Sequence, residues 1–190
     1  MLKPTSKELF FQALVIVLRT TPVDKISVRH ILDVSGLSRQ TFYKYFHDKY
    51  DLINQYFYEI FAGTYQRIND DYRSIYDFWL HTYCLLEMHQ PLFRAASQSQ
   101  DFNNLLQFTH RKSYAFFLRC YEERGRTISD VERELLDFYC IGVTHIIEKY
   151  VQGSTCHAPE IMAEILSTAV PVGLTDFFTH LFHDADTSTR

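Results

Sequence analysis

Ser38-Arg39-Gln40-Thr41-Phe42-Tyr43-Lys44-Tyr45 sets an unusual variety of hydrogen-bonding side chains in one short run. Arginine carries a planar fork of donors that fits phosphate or the O6/N7 edge of guanine. Glutamine fits adenine through one donor and one acceptor. Lysine is a point charge for phosphate, and tyrosine joins a phenolic hydroxyl to an apolar ring. Presented together from one helix face, this set grips phosphates and reads base edges.

The surrounding residues build that helix. Ser38 is an N-cap whose hydroxyl accepts from a free N–H one turn in. Phe42 and Phe46 are four apart and turn inward as core, leaving Arg39, Gln40, Tyr43 and Lys44 on the other faces. Upstream, Ser27 caps a first short helix with Val28, Ile31 and Leu32 on one apolar stripe. Gly36 follows, free to take the left-handed conformation that ends a helix, and Leu37 packs the corner. Two short helices joined at a glycine corner make a helix-turn-helix, whose second helix enters a DNA groove.

Individual side chains then acquire roles. Ser27 and Arg29 lie at the start of the first short helix, where free N–H groups favour a phosphate; Ser27 also serves as a plain cap. Ser38, Arg39, Gln40 and Thr41 lie where a helix-turn-helix touches bases, and Arg39 pairs with either guanine or phosphate. Tyr43 reaches phosphate or a thymine methyl, or packs; Lys44 and Tyr45 follow on the exposed side. His47 is a backbone contact or an ordinary loop residue.

The chain has 190 residues, 46% hydrophobic and 16% aromatic, with 6 Gly and 5 Pro. Few helix breakers and many long side chains point to an all-α protein. No apolar run approaches a membrane span and the N-terminus lacks a signal-peptide core, so a cytosolic protein is expected. The net charge of −4 hides an asymmetry. Residues 1–50 carry eight Lys/Arg and four Asp/Glu, a net +4; the rest carry eleven and nineteen, a net −8. A basic head on an acidic body is compatible with DNA binding. Cys84, Cys120, Cys140 and Cys156 form no CxxC pair and read as small hydrophobes.

Helical periodicity continues on both sides. Leu9, Phe10, Ala13, Leu14, Val17 and Leu18 make a first helix, capped by Thr5 or Ser6 and stopped by Thr21-Pro22. With the helix-turn-helix it makes a three-helix unit over residues 6–46. A long helix runs from near Asp48 to Ile68, its start packing under this unit and its end entering the next core. Further helices are expected from Ser74 to Met88, over Leu92–Ala96, and from near Asn103 to Tyr121. Ser129 with Glu132 reads as a capping box for a helix reaching Tyr150. A last helix starts at Pro159 and ends near His183, kinked or divided by Pro171, before a frayed tail from Asp184 to Arg190. The domains are expected at 1–48 and 49–190.

Ile26-Ser-Val-Arg-His-Ile, Gly36-Leu-Ser-Arg-Gln-Thr-Phe-Tyr-Lys-Tyr-Phe and Asp48-Lys49-Tyr-Asp-Leu52 together resemble the TetR/AcrR regulators over about the first 60 residues. The stretch from Phe78-Trp79 to Tyr121 is similar to the branch that includes dihydroxyacetone kinase operon regulators. The resemblance implies an all-α homodimer with an N-terminal helix-turn-helix unit and a larger C-terminal domain for ligand binding and dimerisation. It implies a palindromic double-stranded operator, release by a small-molecule effector, and a phosphate contact at Lys49. Repression is the family's commonest action, with activation as the alternative. A metal-responsive regulator, or a protein acting through protein contact as nucleoid-occlusion factors do, is a further reading.

The effector's site is sought among Phe78, Trp79, Tyr83, Phe108, Tyr114, Phe117, Tyr121 and Tyr139, as an aromatic wall with polar tips; each is also an ordinary core residue. His180 and His183, with Cys140, Cys156 and His157, lack the spacing of a metal quartet, and no metal or cofactor is expected. No GxSxG, Gly-rich phosphate loop or HExxH occurs, so an enzyme is not expected. The long apolar helices Val131–Val151 and Pro159–His183 are the expected dimer surface.

Overall fold

A computed structural model describes residues 3–66, 72–99, 101, 103–123, 125 and 127–183. The described residues form ten α-helices and no strand. Their contacts cluster into two units, residues 1–60 with 89–108, and residues 61–88 with 109–190. The expected frayed tail at 184–190 and the end of the long helix at Ile68 lie outside the described residues.

The first unit is built on α1 (Ser6–Leu18), α2 (Val28–Ser35) and α3 (Arg39–Tyr45). Thr5 is the cap of α1, and Glu8 returns its carboxylate to the Thr5 N–H, which closes a capping box. Hydrogen bonding to Thr5 holds the Glu8 carboxyl below its ordinary value. Phe10, Phe42 and Phe46 meet edge-on or tilted, with ring centroids 5.4 to 5.8 Å apart, and all three are buried. Edge-to-face packing of this kind adds about 0.5–1.5 kcal/mol per pair beyond burial. The first part of α4 (Lys49–Gln66) adds Leu52, Ile53 and Phe57 to this core. The α6 helix (Gln90–Ser97) carries Phe93, 4.3 Å from Phe57 between centroids.

The second unit contains α5 (Ile75–Met88), α8 (Asp130–Val151), α9 (Pro159–Thr168), α10 (Thr175–His183) and most of α7 (Leu105–Glu123). Ser129 caps α8, and Glu132 closes its capping box. α5 packs along α9. Phe78, Phe117 and Phe178 form an aromatic core with centroids 5.2 to 5.9 Å apart. Pro171 divides the last expected helix: α9 ends at Thr168, a 3₁₀ turn follows at Val172–Leu174, and the chain bends by 91°. Proline supplies no N–H to continue the helix, which is the cause of the break. No single helix among the described residues is long and apolar enough to cross a membrane.

Candidate nucleic-acid interface

The corner between α2 and α3 rests on three local choices. The Ser27 hydroxyl accepts from the His30 N–H, and the His30 ring nitrogen accepts from the Ser27 N–H, both at 3.4 Å. Gly36 ends α2 at φ +69°, a backbone conformation costly to any residue with a Cβ. Ser38 accepts from the Thr41 N–H at 3.1 Å, and the two hydroxyls pair at 2.8 Å. The N-cap types alone forecast Ser27 and Ser38; the answering contact from His30 was not foreseen, because histidine is not the usual partner in a capping box.

α3 is seven residues long, and Phe42 is its one buried residue. Arg39, Gln40, Tyr43, Lys44 and Tyr45 are exposed, and Thr41 is half-buried. Gln40, Thr41, Tyr43, Lys44 and Tyr45 line an open groove of about 560 Å³, together with Ser6 from the start of α1. Ser6 was missed in the sequence because its place in the groove depends on how α1 crosses α3. The Arg39 guanidinium lies 5.5 Å from the Tyr43 ring centroid, and its Nη2 donates to the Tyr43 hydroxyl at 3.4 Å. Lys44 stands 5.7 Å from the Tyr45 ring. Arg29 is exposed on α2 and lies 3.8 Å from Asp33 one turn along. His47 is exposed, and its backbone N–H donates to Asp51 at 2.9 Å.

Lys49 is half-buried, and its ammonium donates to the carbonyls of Val23 (3.0 Å) and Asp24 (2.9 Å). It therefore ties the start of α4 to the 3₁₀ turn at Val23–Lys25 that leads into the helix-turn-helix. The same turn is held from a second side. Ser99, after α6, donates to the Asp24 carboxylate at 2.6 Å, and Tyr50 donates to the same oxygen at 3.2 Å. Burial pushes the Tyr50 phenol above its ordinary value, with Asp24 and Asp101 adding to the effect. Asp24 and Ser99 are 75 residues apart, so no local pattern joins them.

The aromatic residues named as an effector wall divide between the units. Phe108 belongs to the first, where its centroid is 6.3 Å from that of Tyr58. Tyr114 is half-buried in α7. Phe78, Trp79, Tyr83, Phe117, Tyr121 and Tyr139 are buried in the second unit. Trp79 donates to the Tyr139 hydroxyl at 2.9 Å, which in turn donates to the Leu166 carbonyl at 2.8 Å. Burial drives the Tyr139 phenol far above its ordinary value. Tyr121 stacks on Phe177 at 4.5 Å and donates to Glu132 at 2.6 Å. Tyr83 is fully buried, its ring standing perpendicular to Tyr150, and its hydroxyl has no hydrogen-bond partner among the described residues. Burial also raises this phenol steeply.

The Cys140 thiol is pushed up to about 12 by burial, which keeps it protonated and inert. His110 meets Asp137 at 3.0 Å. No group of three or more His, Cys, Asp or Glu among the described residues is placed to hold a metal ion.

No family model matches the chain, and no curated protein matches it. Several solved structures share its fold. One is the dihydroxyacetone kinase operon activator DhaS, 15% identical, covering 91% of this chain and 97% of its own, with a TM-score of 0.56. Another is the fatty acid degradation regulator FadR from Bacillus halodurans, 13% identical, covering 92% and 99%, with a TM-score of 0.55.

Proposed function

We propose that the chain is a TetR-type transcriptional regulator that occupies a palindromic operator as a homodimer and leaves it when a small molecule binds. The observation that carries the reading is α3, which buries Phe42 and turns its arginine, glutamine, lysine and two tyrosines outward from a glycine corner. The local net charge of +4 over residues 1–50 supports attraction to phosphate. A fold shared with two proteins described as operon and degradation regulators supports the same direction.

In this reading Arg39 and Gln40 meet base edges, and Ser38 and Thr41 offer hydroxyls beside them. Lys44 and Tyr45 flank the DNA backbone, with Ser27, Arg29 and His47 meeting it from the other side of the corner, and Tyr43 stands beside Arg39 on the groove side. An ammonium has three donors, and two of those of Lys49 already go to carbonyls. Its main service is to hold the corner, and a phosphate takes the remaining donor. The unmatched Tyr83 hydroxyl is the contact we assign to the effector. The dimer surface we assign to α8 and the adjoining turn, where Phe138 is 72% exposed and Val172 is 92% exposed.

Mapping binding sites across the genome tests this reading most directly. A site beside a regulated promoter, bound in a gel shift and released by a metabolite of the neighbouring genes, is the expected result. Deleting the protein then raises transcription if it represses and lowers it if it activates, as DhaS is named for doing. Many dispersed sites with no regulated promoter would favour action through protein contact instead. If each protomer neutralises about three phosphates, log affinity falls against log salt with a slope of about −5. Gln40→Ala is expected to cost roughly 1–3 kcal/mol at one base pair; equal loss on matched and scrambled operators removes it from the readers. A monomeric mass at micromolar concentration would defeat the dimer.

A further inference from the structure

From the geometry of α3 we infer that Tyr43 is the positioning residue for Arg39, and that it decides the chain's base preference without reading a base itself. This rests on the DNA-binding reading above. Arg39 and Tyr43 are four residues apart, so their side chains project from successive turns of one helix face. The guanidinium lies over the phenol ring at 5.5 Å, and Nη2 reaches the Tyr43 hydroxyl at 3.4 Å. Two features of a guanidinium matter here. Its faces stack on aromatic rings, and its edge carries the donors. A ring beneath the face therefore leaves the edge open. The bond to the hydroxyl takes one of five N–H groups, so a two-donor edge remains for guanine O6 and N7.

The alternative for an exposed arginine is a freely rotating side chain that any phosphate can satisfy. Among the described residues neither an acidic group nor a carbonyl is paired with Arg39, and its anchor there is Tyr43. Lys44 and Lys49 also lie near rings, 5.7 Å from Tyr45 and 4.8 Å from Tyr50, but an ammonium is a point charge with no planar edge to orient. Arg29 lies beside the carboxylate of Asp33, and Lys49 is bonded to two carbonyls. Restricting the rotamers before DNA arrives lowers the ordering cost of a bidentate contact, and that gain is confined to the base pair Arg39 faces.

Selection from a pool of randomised duplexes tests the inference, with the wild type, Arg39→Ala, Tyr43→Ala, Tyr43→Phe and the double alanine variant. Tyr43→Ala is expected to flatten the same motif column that Arg39→Ala flattens, by about tenfold in preference, and to leave the other columns and the salt slope alone. Tyr43→Phe keeps the ring and is expected to retain the column. The double variant is expected to lose no more than Arg39→Ala, because residues that act as one unit are not additive. In the free protein, the Arg39 side-chain proton resonances are expected upfield in the wild type and Tyr43→Phe, and at ordinary positions in Tyr43→Ala.

Four outcomes of the selection overturn the inference: equal weakening of every sequence by Tyr43→Ala, flattening of a different column, no column lost in Arg39→Ala, or Tyr43→Phe behaving as Tyr43→Ala. Ordinary Arg39 resonances in the wild type overturn it without reference to DNA. A wild type that enriches no motif removes the DNA-binding reading, and the inference falls with it; upfield Arg39 resonances in that case separate the two failures.

Discussion

The two units treat polar side chains in opposite ways. Along α3 the polar groups stand outside and only Phe42 goes in. In the second unit the polar ends of Trp79, Tyr83 and Tyr139 are turned into the core with their rings. An outward hydroxyl or guanidinium is satisfied by water until a partner replaces it. An inward hydroxyl must be matched inside the protein or remain a cost. Tyr139 is matched twice, through Trp79 and Leu166, whereas Tyr83 is not matched at all among the described residues. The contrast separates a surface whose polar groups are open to water from a core in which some hydroxyls are matched, as in Tyr139, and others, those of Tyr83, Thr64 and Thr155, have no partner among the described residues.

Substitutions can break or sharpen that contrast. The largest effect is expected at Phe42, the fully buried residue beneath the exposed polar face of α3. Phe42→Ala should destabilise the first unit by about 3–5 kcal/mol and abolish DNA binding, read as a lower denaturation midpoint and a lost gel shift. A change confined to DNA affinity at unaltered stability would place Phe42 on the wrong side of the comparison.

Next come the two buried phenols. Tyr139→Phe leaves the Trp79 N–H and the Leu166 carbonyl without their shared partner and should cost about 2–3 kcal/mol in denaturant unfolding. Tyr83→Phe removes a hydroxyl with no partner and should cost about zero, or stabilise slightly. If the effector uses Tyr83, the same variant keeps its stability and loses its response. Equal costs at both positions would show that Tyr83 is matched as Tyr139 is.

Gly36→Ala should cost about 1 kcal/mol. The added Cβ meets nothing within 4 Å, so the effect comes from φ +69° alone. Midpoint shifts beside Gly142→Ala isolate this term, since Gly142 also has open space around it but lacks the positive φ. The smallest effect on stability belongs to Lys44, which is exposed. Lys44→Ala should leave the denaturation midpoint within about 0.5 kcal/mol and weaken all duplexes alike. It should also lower the salt slope by about one.

The same contrast explains how far the residues could be read in order along the chain. Caps, the glycine corner and the inward pair Phe42 and Phe46 are set by spacings of three and four residues, which a linear pattern displays directly. The exposed face of α3 followed from them, since residues not needed by the core are left to solvent. The aromatic residues of the later chain were harder to sort. Phe108 shares their composition yet belongs to the first unit, and Trp79 and Tyr139 are 60 residues apart. Periodicity says that such rings go inside, but not which one will meet a carbonyl, an indole or nothing.

The sequence by itself determined the helices, their caps, the break at Pro171 and the polar character of the exposed face of α3. These depend on backbone preferences and on side chains within one or two turns. Only the tertiary structure decided that Lys49 spends two donors on the Val23–Lys25 turn, that Ser99 and Tyr50 converge on Asp24, and that Tyr83 is left unmatched. Those outcomes follow from the paths by which distant helices pack. A hydrogen bond between residues 75 apart in the chain is fixed by that packing and leaves no periodic trace.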